Sequence, residues 1–148
     1  MKLEGKRMSG YSVEELVYMD DNQVSVGPPQ LTGFLAEIFS KFEDEVTDWI
    51  YLEKNCCFIV SPDGRDLEAQ HIPRENLLPH LILLPPDFFK RYDKNPKGTA
   101  MLVLHEVAHG YLNHRGMVTP EISKQQEREA WELAAKWYRY SDYSVRTK

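Results

Sequence analysis

Residues 101–110 read Met-Leu-Val-Leu-His-Glu-Val-Ala-His-Gly, two histidines and a glutamate set into an otherwise apolar run. Asn95-Pro96 ahead of the run offers a capping side chain and a first-turn proline. The pattern predicts a helix continuing to His114 and ended by Arg115-Gly116. Four residues turn a helix through about 400°, nearly a full circle, so His105 and His109 stand one above the other on the same face. Apolar neighbours on both sides send this helix through the core. Two imidazoles and a carboxylate are costly to bury there without a partner.

The rest of the chain supplies what such a helix packs against. Leu31, Phe34, Leu35, Ile38, Phe39 and Phe42 recur at three- and four-residue steps and predict a core-packing helix. Cys56-Cys57-Phe58-Ile59-Val60 reads as a strand ended by the turn Ser61-Pro62-Asp63-Gly64. Leu81-Ile82-Leu83-Leu84 reads as a second strand, buried on both faces and set near a sheet edge by Pro85-Pro86. Residues 65–80 show no regular pattern. Thr119-Pro120-Glu121 starts a last long helix to about Tyr140, with Ile122, Ala130, Leu133, Ala134 and Trp137 as its apolar stripe. Helix, strands, helix, helix is the order of an α+β domain. Residues 1–29 are polar, end in Gly27-Pro28-Pro29 and read as an N-terminal arm, in which Val13, Leu16 and Val17 suit one helical turn. Residues 30–148 form the single domain.

Neutral imidazoles are good zinc ligands, and two on one helical face supply half of a tetrahedral site. Glu106 lies about 100° round the helix, where it reaches a metal-activated water without being a ligand. His105 and His109 are thus the candidate ligands of Zn2+ and Glu106 the candidate general base. A third ligand is required. His114 falls about 180° from His105 on a continuous helix and reads as a surface or helix-end residue. The last helix offers Glu121, Glu127, Glu129 and Glu132. Only Glu127 borders its apolar stripe, roughly 50° from the centre, whereas Glu129 falls about 110° away on the other side. A short connection makes the two helices antiparallel. His109 then sits about 6 Å before the first helix ends and Glu127 about 10 Å after the second begins, so their heights agree. A solvated acidic face is the alternative for any one of these glutamates.

These motifs resemble those of the gluzincins, in which a His-Glu-x-x-His helix and a glutamate from a later helix hold zinc. The stretches 105–114 and 127–135 are similar to the ImmA/IrrE-type metallopeptidases, with Glu127, Ala130, Leu133 and Ala134 at matching places. Trp131 departs, standing where that family has Asn or Asp. The resemblance spans about residues 75–140. It implies a small zincin-like domain with a short sheet packed on the motif helix, His105, His109 and Glu127 as zinc ligands, and Glu106 as catalytic base. It also implies a cytoplasmic peptidase that cuts a protein or peptide, a transcriptional repressor in that family.

Charge and composition narrow the alternatives. The formal net charge is -5 and the pI about 5.5. With no Lys/Arg-dense stretch, nucleic acid is not the expected partner. No apolar run approaches the roughly 18 residues of a membrane span, and none follows the basic residues near Met1 as in a secretory signal. The adjacent Cys56 and Cys57 fit a reducing compartment, so the cytoplasm is expected. Two other functions compete: a metal-stabilised binding module without turnover, and a latent peptidase covered by a terminal arm. Tyr111 and His80 are both candidates for stabilising an oxyanion, and the oligomeric state stays open.

Overall fold

The computed structural model describes residues 25–26, 29–42, 44–53, 55–60, 70–72, 80–114, 118–139 and 141. The turn at 61–64, the helical turn around Val13 and the Arg115-Gly116 stop lie outside these residues. Four strands form one sheet: β1 (Ser25–Val26), β2 (Cys56–Val60), β3 (Gln70–Ile72) and β4 (His80–Leu84), in the order β1-β2-β4-β3. β1 and β4 both run parallel to β2, with Phe58 opposite Ser25 on one side and Ile82 on the other. β3 runs antiparallel to β4, pairing His71 with Ile82. Helices flank these strands, and the architecture is α+β.

Two sequence expectations change here. The segment read as an arm contributes a strand, and the irregular stretch before β4 contributes another. β4 itself has partners on both sides and lies one strand in from the edge of the described sheet, near it as expected. Pro85 and Pro86 follow its last paired residue, Leu84, so neither removes a donor from the ladder. Residues 70–72, which show no strand pattern in sequence, pair with β4. A three-residue strand is too short for alternation to register. Ser25 and Val26 come from the segment read as an arm and extend the sheet beside β2.

Helix α1 (Pro29–Phe39) carries the expected stripe: Leu31, Leu35, Ile38 and Phe39 are fully buried. Phe39 meets the ring of Phe58 on β2 at 5.8 Å and that of Tyr51 at 6.1 Å. A short helix, α2 (Asp44–Thr47), runs on into a π-helical turn (Asp48–Leu52) that buries Ile50 and Tyr51. Helix α3 (Phe88–Lys94) follows β4; its Tyr92 packs edge-on against Phe34 at 5.1 Å.

Helix α4 (Pro96–Tyr111) is capped as expected: Asn95 Oδ1 accepts from the Gly98 N–H at 3.0 Å, with Pro96 in the first turn. Every residue from Val103 to Gly110 is buried, so this half of the helix is enclosed on all sides. Gly110 permits close approach to β4, because a Cβ there would meet the His80 ring at 3.2 Å. Helix α5 (Pro120–Arg139) packs on α4. Thr119 Oγ1 accepts from the Ile122 N–H at its start. Ala130, Ala134 and Trp137 are buried as expected, but Ile122 is exposed because the stripe begins further along the helix.

Candidate metal centre

The one-turn spacing of His105 and His109 on α4 brings their rings edge-on to each other, with centroids 4.7 Å apart. Helix α5 crosses beside them and brings in Glu127. His109 Nε2 lies 2.9 Å from Glu127 Oε1, and His105 Nε2 lies 3.2 Å from Glu127 Oε2. One ligand atom from each of the three residues falls within 4.8 Å of the others. Both histidines are buried, whereas the Glu127 side chain is 53% exposed and closes the cluster from the solvent side.

Glu106 is buried as well, and its Oε2 accepts from His105 Nδ1 at 2.8 Å. A proton on Nδ1 leaves a neutral His105 with a bare lone pair on Nε2. That atom is buried and makes no hydrogen bond, although Glu127 Oε2 is near. An orphaned buried nitrogen carries a penalty of about 1–3 kcal/mol unless something binds it. A cation held by His105 Nε2, His109 Nε2 and Glu127 would satisfy it, and two imidazoles with one carboxylate suit zinc.

The titration of His109 is displaced as well. Burial, reinforced by the neighbouring His105, lowers its pKa from the ordinary 6.5, while Glu106 and Glu127 pull the other way. The neutral ring, the form that ligates metal, is thereby favoured.

His114 does not sit where a continuous helix would put it. Helix α4 ends at Tyr111, and Asn113 takes a left-handed conformation with φ 56°. The Asn113 N–H returns to Gly110 O and the His114 N–H to His109 O, both at 2.9 Å, folding the chain back under the last turn. His114 is buried as a result, not a surface residue. Its Nδ1 lies 2.9 Å from His109 Nδ1, and its Nε2 lies 3.0 Å from Glu129 Oε1. Hydrogen bonds from His114 and then from Gln125 hold the Glu129 carboxyl below the usual carboxylate range. Asn is enriched at left-handed helix ends, so Asn113 was the available signal for this turn.

Trp131 lies flat on the His105 ring, with centroids 3.9 Å apart and planes 11° from parallel. It holds the ring by contact instead of by a hydrogen bond. Tyr111 points elsewhere. Two residues past His109 it is about 200° round the helix, and its hydroxyl donates to Glu45 Oε1 at 2.7 Å. His80 is buried against Gly110 and Trp49.

Comparison with protein-family models, curated proteins and solved structures finds no match in any of the three. Among the described residues, no helix is long and apolar enough to cross a membrane.

Proposed function

We propose that this chain is a zinc metallopeptidase of gluzincin type, with a zincin-like domain. His105, His109 and Glu127 hold the metal and Glu106 is the general base. Its substrate is a protein or peptide in the cytoplasm, and by the resemblance to ImmA/IrrE-type peptidases a transcriptional repressor. The observation that carries the proposal is the convergence of His105 Nε2, His109 Nε2 and the Glu127 carboxylate, with His105 Nε2 left unpaired in the interior. Zinc held there supplies Lewis acidity, polarising a scissile carbonyl and making a nearby water more acidic.

The protein groups do the rest. Glu106 accepts the proton of the attacking water and returns it to the leaving amine. Its bond to His105 Nδ1 also fixes that ring's tautomer. Trp131 shields the outer face of His105 from solvent by stacking on it. Strand β3 packs against α4 and ends the sheet among the described residues, a place where an extended peptide can add as a strand.

A metal-stabilised binding module is the second reading. The observation in its favour is that Glu106 Oε2 is engaged with His105, a support that a structural site would also use. Metal analysis of the purified protein and assay of Glu106→Gln on repressor-like proteins or a peptide library separate the two. The peptidase carries about one zinc per chain, and the variant keeps zinc but loses about 10²–10⁴-fold in turnover. Equal cleavage by both proteins, or zinc without any cleavage by wild type, rejects the peptidase. A folded protein without zinc rejects both readings.

A further inference from the structure

Resting on the metal-binding reading of the site, we propose that His114 and Glu129 are positioning residues that fix the tautomer and aim of His109. Counting protons along the chain of contacts gives the direction of each bond. Glu129 is a carboxylate and only accepts, so His114 Nε2, 3.0 Å from Oε1, carries a proton and donates it. A neutral His114 then has a bare Nδ1, which accepts from His109 Nδ1–H at 2.9 Å. A neutral His109 is left with a bare Nε2, the atom 2.9 Å from Glu127 Oε1. A metal ion there would sit between that lone pair and the Glu127 carboxylate. The bond order Glu129–His114–His109 thus delivers the lone pair to the site.

The fold builds this support from two separate elements. The left-handed Asn113 swings His114 back so that its ring meets His109, with centroids 5.1 Å apart. Helix α5 then presents Glu127 and Glu129, two residues apart, to His109 and His114 respectively. Gln125 Nε2 holds the second Glu129 oxygen at 3.3 Å. The His114 side chain is only 9% exposed, while Glu129 keeps 43% of its side chain in water, so the charge stays solvated and the ring stays rigid. Replacing His114 takes away the ring nitrogen that faces His109 Nδ1 at 2.9 Å, and a proton on Nε2 then competes with the metal.

The experiment measures zinc affinity of the full chain by competition with a chromophoric chelator, alongside the melting temperature of the metal-free proteins. His114→Phe keeps the ring volume without the acceptor and should weaken zinc binding about 10–100-fold, the usual effect of losing such a partner. His114→Asn places an amide oxygen near the lost Nδ1 and should bind within a few-fold of wild type. Glu129→Gln still accepts from His114 and should lose less than His114→Phe. Wild-type affinity in His114→Phe, or no recovery in His114→Asn, overturns the proposal. A second readout needs no variant: proton–nitrogen correlation spectra of the zinc-loaded wild type should show His109 protonated at Nδ1 and His114 at Nε2. The opposite tautomers overturn it too. A wild type that takes up no zinc overturns the metal reading itself, so the two failures are told apart.

Discussion

Replacing Glu127 by alanine separates metal binding from folding more cleanly than any other change in the site. Its carboxylate faces both His105 Nε2 and His109 Nε2, yet 53% of the side chain is in water. Structural zinc sites gain about 10–16 kcal/mol from four ligands, or about 2.5–4 kcal/mol each. Loss of one should therefore weaken zinc binding roughly 10²–10³-fold. Zinc supplied at about 100 times the wild-type Kd stabilises the wild type by about 2.7 kcal/mol. For a chain of this length that raises Tm by about 5–10 °C. At the same zinc concentration, Glu127→Ala gains at most about 0.4 kcal/mol, about 1 °C. Glu127 also touches two buried rings, so each protein is compared with its own zinc-free form and the zinc-induced shift is what is read. Thermal melts with and without zinc, with Glu129→Ala beside them, make the test. Glu129→Ala should lose only the smaller amount due to its support of His114. Equal zinc-induced shifts in wild type and Glu127→Ala would refute the ligand assignment.

Acidification should destabilise the metal-free protein. Folding lowers the His109 pKa from its ordinary 6.5, so between the folded and unfolded values the unfolded chain binds more protons. The stability from this group is complete above 6.5 and is lost as pH falls through the lower folded value; His109→Asn, melted in chelator across this range, should show a shallower loss. An unchanged slope would assign the effect to other groups. Asn95→Ala should cost about 1 kcal/mol by removing the α4 cap, read from chemical denaturation. Gly98→Ala, which ordinarily favours a helix, should destabilise here because its methyl would collide with the Asn95 side chain. A gain in stability would show that the cap is dispensable.

Much of the site was already legible along the chain. The Asn95 cap, the helical spacing of His105 and His109, and the stripe Ala130, Ala134 and Trp137 are local patterns, set by 3.6 residues per turn. Antiparallel packing then selected Glu127 over its neighbours, and in the structure that residue stands against both rings. Strand β4 was legible as apolar and near an edge, but the edge strand beside it was not, because that strand is only three residues long. Helix α3, one short stretch of seven residues, was not anticipated; so brief a segment barely shows a period. The place of His114 depended on a single backbone angle. A helix continued to residue 114 turns that ring away from the site, whereas one left-handed residue at Asn113 folds it beneath His109. That reversal also gave Glu129 a partner on a second element. Spacing along a helix repeats, so it can be read from residue types alone. A turn's handedness, and the contact between rings on different elements, exist only once the backbone has folded.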